Sequence, residues 1–173
     1  MLDKRMSARP PQRRLALIPF ALLLATAGTA LAAESAGQIK RVDGEVSVVR
    51  NKQAFAAKPG LAIEAKDRLI TGKNGAVGFT TTDNSLVSLG PNSQLVIDQY
   101  AFNQQSQDGN IAFRFLKGTF AVVSGLLAKV QPDKAKFSTP TATIGIRGTE
   151  FIVSIELPAE LEEEILGSEG MTQ

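Results

Sequence analysis

Ile111-Ala112-Phe113-Arg114-Phe115-Leu116 alternates large apolar side chains with Ala112, Arg114 and Leu116. Residues two apart share one face of an extended chain, so the stretch predicts a strand with Ile111, Phe113 and Phe115 turned inward. The same period recurs on both sides of it. Val46 and Val48 alternate with Glu45 and Ser47, and Phe151, Val153 and Ile155 alternate with Glu150, Ile152, Ser154 and Glu156. Turn chemistry separates these runs: Lys58-Pro59-Gly60, Gly72-Lys73-Asn74-Gly75, Thr82-Asp83-Asn84-Ser85, Gly90-Pro91-Asn92-Ser93 and Gln107-Asp108-Gly109-Asn110. Asn-Gly and Asp-Gly accept the positive φ of tight turns, and Pro91 presets φ at a second turn position. Gly37 to Glu156 therefore reads as one all-β domain of short strands. Gly44, Gly60, Gly75 and Gly90 recur every 15 to 16 residues. That spacing leaves two arrangements open, coils of a β-helical stack or hairpins of even length.

The two ends of the chain depart from this pattern. Residues 1–14 carry Lys4, Arg5, Arg9, Arg13 and Arg14 against Asp3 alone, and residues 15–33, LALIPFALLLATAGTALAA, are apolar or small throughout. Ala30 and Ala32 supply the small-x-small pattern of a signal-peptidase site, so residues 1–33 are expected to be an export signal cut after Ala32 or Ala33. A retained anchor is the competing reading, because the apolar stretch is just long enough to span a membrane. Pro19, Gly28-Thr29 and the weakly apolar second half argue against it. Without the leader the formal charge of +2 becomes 14 basic against 16 acidic residues. The basic excess thus belongs to the leader, and no nucleic-acid partner is expected. At the other end, residues 158–173 hold five Glu and no Lys or Arg. Pro158 to Leu166 places Leu161, Ile165 and Leu166 on one stripe, which predicts a short helix followed by a loose tail. The expected domain plan is 1–33 signal peptide, 34–157 β-domain and 158–173 acidic helix and tail.

The chain has no Cys, His or Trp. Disulfides, thiol nucleophiles, Cys/His metal sites and imidazole bases are excluded with them. No cofactor or metal motif is present, and none is expected to bind. Four carboxylates, Asp83, Asp98, Asp108 and Glu150, would suffice for a glycosidase pair. Asp83 and Asp108 sit instead in turn contexts where Asp caps its own backbone, and Asp98 lies on the polar side of an alternating strand. No catalytic residue is assigned. Tyr100 and Phe102 either close a core or form an exposed aromatic patch that takes sugars or peptides.

Two longer stretches carry more than generic β sequence. The first runs Asp67-Arg68-Leu69-Ile70-Thr71-Gly72, Gly75-Ala76-Val77-Gly78-Phe79 and Asp83-Asn84-Ser85-Leu86-Val87-Ser88-Leu89-Gly90-Pro91-Asn92-Ser93. The second runs Lys117-Gly118-Thr119-Phe120 and, further on, Ser138-Thr139-Pro140-Thr141-Ala142-Thr143-Ile144-Gly145-Ile146-Arg147-Gly148-Thr149-Glu150-Phe151. Together, over residues 37–155, they resemble the FecR-domain family. The resemblance implies a periplasmic all-β domain, solenoid-like or a twisted β-helical stack of short strands, known from regulators that receive signals from outer-membrane iron-chelate transporters. In those regulators a cytoplasmic anti-sigma segment and a membrane helix precede the β-domain and a signalling domain follows it. Here only Met1 to Arg14 precedes the apolar segment, so a stand-alone exported form is expected.

Its expected role is non-enzymatic: binding an envelope or outer-membrane protein, in the periplasm or at the cell surface, as a sensing or scaffolding accessory. A signal-relay subunit beside a separate membrane regulator and a cell-wall or carbohydrate-binding module are the alternatives. Arg147, between Gly145 and Gly148 with Glu150 three residues on, reads as a half-buried structural charge or as a guanidinium fork for a partner's carboxylate. Arg147, Glu150, Tyr100 and Phe102 are the candidate partner-binding residues. Mass spectrometry of the exported protein is expected to find an N-terminus at Ala33 or Glu34, and an intact Met1 in the membrane fraction would contradict the export reading.

Overall fold

The computed structural model describes residues 35–144 and 150–157. The export segment, Arg147 with its flanking glycines, and the helix expected from Pro158 to Leu166 lie outside the described residues. Within them the fold is all-β, as expected, with twelve strands.

One strand, β9 (Asp108–Val123), organises the others. Its first half pairs antiparallel with β8 (Gln94–Asn103), which continues through β5 (Arg68–Thr71) and β2 (Val46–Arg50) to the edge strand β3 (Gln53–Ala56). Its second half pairs with β7 (Leu86–Leu89), which continues through β6 (Ala76–Thr81) and β1 (Ser35–Asp43) to the edge strand β4 (Ala62–Glu64). β10 (Ala135–Ser138) lies parallel to β9 at Ile111–Arg114 and carries the two-residue β11 (Thr143–Ile144). β12 (Glu150–Ile155) runs antiparallel to β9 from Val123 back to Gly118. Among the described residues every pairing apart from β9–β10 is antiparallel, and Gly44, Gly60, Gly75 and Gly90 each lie between consecutive strands that do not pair, where the chain passes from one half-sheet to the other.

The two halves of β9 face one core from two directions, and the sequence of β9 shows how. Ile111, Phe113 and Phe115 are buried at odd positions, whereas Phe120 and Val122 are buried at even ones. The change of parity occurs at a bulge: Gln94 pairs with Lys117 and Leu95 with Phe115, which leaves Leu116 as the extra residue. A bulge inserts one residue and sharpens the local bend. Leu116, expected on the outer face by simple alternation, is accordingly buried. Gly118 follows at φ +97, and a Cβ there would stand 2.1 Å from Ser93 Oγ and 2.5 Å from Ser93 Cα. Glycine alone fits both the dihedral and the space.

Between the half-sheets the aromatic rings form a continuous seam. Phe79 meets Phe113 edge-on at 6.3 Å, Phe113 meets Phe137 at 5.6 Å, and Phe115 meets Phe120 at 4.6 Å. Phe137 also packs against Phe151 of β12 at 5.4 Å. Ile39, Ile63, Leu69, Leu89, Leu95 and Ile97 fill the remainder without exposure. Each buried phenyl here contributes roughly 3–5 kcal/mol by the cost of its truncation to alanine.

Two local expectations need correction. Gln107-Asp108-Gly109-Asn110 is not the turn between β8 and β9, because Asp108 already pairs with Asn103 and Gly109 with Phe102. The reversal comes one step earlier, where Asn103 Oδ1 accepts hydrogen bonds from the Gln105 and Ser106 amides, and Gln107 takes the positive φ. Gly109 instead permits close strand approach, since a Cβ would lie 2.2 Å from the Ala101 carbonyl oxygen. The described residues also contain a short helix the sequence reading did not foresee, α1 (Leu126–Val130), whose Leu127 is fully buried.

Candidate functional site

Three polar clusters occupy the places where the sequence motifs fall. The first centres on Asp67, which opens the Asp67-to-Gly72 stretch and has no exposed surface. Arg50, at the end of β2, reaches it as a fork: Nε donates to Oδ1 at 2.7 Å and a terminal nitrogen to Oδ2 at 2.6 Å. The Glu64 amide donates to the same Oδ2 at 2.8 Å, and Arg50 also holds the Glu64 carboxylate and the Ala62 carbonyl. The hydrogen bond that Arg50 donates to Asp67 raises the Arg50 pKa, so the guanidinium stays charged while burial opposes it. A carboxylate with no access to water must be met by donors, here a cation and an amide, and removing one member of a buried pair costs about 3–5 kcal/mol. The clasp ties the β2–β3 hairpin to the β4–β5 connection. Arg50 further covers the ring of Phe55, 5.7 Å from its centroid.

The second cluster is the Asp83-Asn84-Ser85 turn between β6 and β7. Asp83 is 1% exposed and no ion pair of the described residues involves it; hydroxyl groups satisfy it instead. Thr81, Ser85 and Tyr100 each donate an O–H to its carboxylate, and the Ser85 amide adds a long contact at 3.3 Å. Tyr100 Oη in turn accepts the Asp83 amide at 3.0 Å, and Ser85 Oγ accepts the Gly125 amide at 2.9 Å. The entry to α1 is thereby fastened to the turn, a link completed by the Leu126 amide on the Asp83 carbonyl. Asn84 bears the positive φ of this turn, a conformation Asn tolerates better than most residues. Ser124, adjoining the cluster, has a buried hydroxyl with no partner.

The third lies at the β9 corner. Ser93 is fully buried; its amide donates to Thr71 Oγ1 at 2.8 Å, and its Oγ accepts the Thr119 amide at 3.1 Å. Thr71 Oγ1 donates onward to the Gly90 carbonyl at 2.7 Å. Beside this corner opens a cleft of about 530 Å³ lined by Asn92, Lys117, Thr119, Ser154 and Glu156 among others. Its walls are largely polar and of mixed charge, and the Thr119 and Ser154 hydroxyls, neighbours on β9 and β12, hydrogen-bond to one another in its lining at 3.3 Å.

The candidate partner-binding residues do not converge. Tyr100 and Phe102 are each 7% exposed and belong to the core, so neither contributes an aromatic patch to the surface. Glu150 is exposed at the start of β12. Arg147 lies outside the described residues. Among the weighed acids, Asp98 forms a two-pronged pair with Arg114 across β8 and β9, at 2.7 and 2.9 Å. Asp108 pairs with Lys134, and that hydrogen bond lowers its pKa. Both acids are thus engaged in ion pairs that fasten neighbouring segments together.

Sequence reading missed the Asp67–Arg50 clasp. Asp67 was visible as the first residue of a motif, but nothing local in Val49-Arg50-Asn51 announces its long-range partner. Burial raises the Tyr100 pKa above its ordinary 10.0, the first of several effects on that hydroxyl. The folded state therefore retains a proton that the unfolded chain loses, so this contribution to stability is full below pH 10 and declines as pH rises beyond it. Tyr100→Phe is expected to cost about 1–2 kcal/mol at pH 7, by withdrawing a donor from Asp83, and to flatten the fall in stability above pH 10. Urea unfolding at pH 7 and pH 11 checks both; an unchanged alkaline slope would contradict the assignment.

Comparison with known proteins bears on these same residues. A family described as FecR protein matches residues 67–164. The match opens on Asp67 and takes in Asp83, Ser85, Ser93 and Gly118, the centres of all three clusters, while β1 to β4 precede it. No curated protein and no solved structure matches the chain. With more than half of its residues in that match and the motif residues at the structural centres of the fold, the chain belongs to the FecR family.

Proposed function

We propose that this chain acts in the envelope as a non-enzymatic binding domain, a sensing or scaffolding accessory that engages another envelope or outer-membrane protein. The FecR family is one of signalling regulators, and that supports a regulatory setting. The observation that carries the reading is where the shared polar residues go. Asp67, Asp83, Ser85 and Ser93 are buried and hydrogen-bonded to the fold's own groups. The motif is thus a framework, and recognition falls to the surface this framework presents. Catalysis would need polar groups left over for a substrate, and these residues are already occupied.

Relay to a separate membrane regulator is the second reading, favoured by the family match. Both place the chain outside the cytoplasm through the export signal of residues 1–33. Cross-linking in intact cells, with the full chain as bait, is expected to recover an envelope protein, and purified cell wall is expected not to retain it. Retention on cell wall without a protein partner would replace this reading with a glycan-binding one. Deletion is expected to change transcription of a target operon only if the relay reading holds.

A further inference from the structure

A sheet edge is a row of unpaired amides and carbonyls, and proteins blunt such rows with short length, Lys, Pro or a covering element. The described edges of this fold obey the rule with one exception. β4 has three residues and β11 two. β3 has four, is followed closely by Lys58-Pro59, and lies beneath the Arg50 side chain at Phe55. β12 is six residues long, Glu150-Phe151-Ile152-Val153-Ser154-Ile155, without Lys, Arg, Pro or Gly. Among the described residues only β9 pairs with it.

The backbone direction along that edge follows from one hydrogen bond. The Thr119 carbonyl accepts the Gly90 amide at 2.9 Å, so Thr119 turns its backbone groups toward the β7 side. Alternation in an antiparallel ladder then turns Ala121 and Val123 the same way, and Gly118, Phe120 and Val122 toward β12. Their register partners Ile155, Val153 and Phe151 bond inward to β9. Glu150, Ile152 and Ser154 are left with amide and carbonyl facing away from the sheet. The same three residues carry the exposed side chains, and Ile152 is 71% exposed.

We infer that β12 is a docking edge for an extended strand of another protein, about six residues long, with Lys or Arg opposite Glu150 and Glu156 and an apolar residue opposite Ile152. The acidic residues at both ends of the edge select the occupant by charge. A second copy of this chain leaves those charges unanswered: two antiparallel β12 strands set Glu150 against Glu156 when Ile152 lies opposite Ser154, and Glu150 against Ser154 when Ile152 lies opposite Ile152. Like charges directly opposite are unfavourable. The inference rests on the binding role proposed above and names its surface.

Two arms test it separately. In the first, the full chain is titrated with the synthetic peptide Lys-Thr-Val-Thr-Val-Thr-Lys and with the same core flanked by Glu. The Lys-flanked peptide is expected to bind at least about tenfold more tightly and to slow amide exchange at Ile152 and Ser154. Ile152→Pro removes only an outward-facing amide, a place where edge strands tolerate proline, and is expected to abolish binding with an unchanged urea midpoint. Should that variant fold poorly, Ile152→Lys leaves the backbone intact and is expected to weaken the Lys-flanked peptide by a similar factor. Equal binding of both peptides, no binding of either, or unchanged binding by the variants would overturn the inference. So would a dimer of the unaltered chain that Ile152→Pro dissolves, since the edge would then belong to a second copy. In the second arm the variants replace the chain in cells. Capture of the same envelope protein at full yield by Ile152→Pro would remove the edge from the account and leave the proposed function standing, whereas failure of the unaltered chain to capture any would remove the proposed function.

Discussion

A strand that serves two half-sheets must turn between them, and β9 does so within three residues. Leu116 is inserted as a bulge, which moves the inward-facing positions from odd to even. Gly118 then adopts a φ of +97 with Ser93 pressed against it, closer than any Cβ would permit. Everything on either side depends on that turn. Phe113 and Phe115 before it, and Phe120 after it, reach one core only because the strand bends, and Phe115 and Phe120 meet at 4.6 Å across the corner. Ser93 closes the corner from the opposite side by accepting the Thr119 amide and donating its own amide to Thr71. Lys117-Gly118 thus marks a bend inside a strand.

The two buried carboxylates show two ways of taking a charge out of water. Asp67 is held by a guanidinium fork and a backbone amide, so its charge is matched. Asp83 receives hydroxyl hydrogens from Thr81, Ser85 and Tyr100, dipoles oriented by the turn itself. Both pin connections that the strand ladder alone would leave loose: β2–β3 to β4–β5 in one case, β6–β7 to α1 in the other. Buried polar groups satisfied by neighbours specify a unique arrangement because every alternative leaves one of them unpaired. This explains why residues that look chemical in the sequence are structural in the fold.

Much of this was legible beforehand. The alternation at Val46 and Val48, at Ile111 to Phe115 and at Phe151 to Ile155 gave the strands and their inward faces, because period two follows directly from the pleat. The turns at Thr82 to Ser85 and Gly90 to Ser93 also lie where their residues placed them. Strand order was not legible, since it depends on pairings such as β5 with β8 that join distant segments. Neither was the parity change, for a bulge residue such as Leu116 looks like any other apolar residue out of phase. Asn51-Lys52 forms the β2–β3 reversal with two consecutive positive φ values and no glycine, so the usual signal was missing. As for the site, Tyr100 and Phe102 were recognisable as aromatics of an alternating strand, but the bulge between Ile97 and Gln99 decides which face they take. Glu150 stands exposed on β12, which among the described residues pairs only with β9, and no local signal in the sequence marks that one-sided pairing.

The contact of Gly118 with Ser93, and not merely the Gly118 dihedral, holds the two half-sheets together. Gly60 provides the control, because it too has a positive φ, +88, but a Cβ there would meet nothing within 4 Å. Urea unfolding of Gly60→Ala and Gly118→Ala separates dihedral strain from steric exclusion. Gly60→Ala is expected to lose about 1–3 kcal/mol, the cost of an unfavourable backbone conformation. Gly118→Ala is expected to lose clearly more than Gly60→Ala, of order 4 kcal/mol or enough to abolish cooperative unfolding. Equal losses in the two variants would contradict the account.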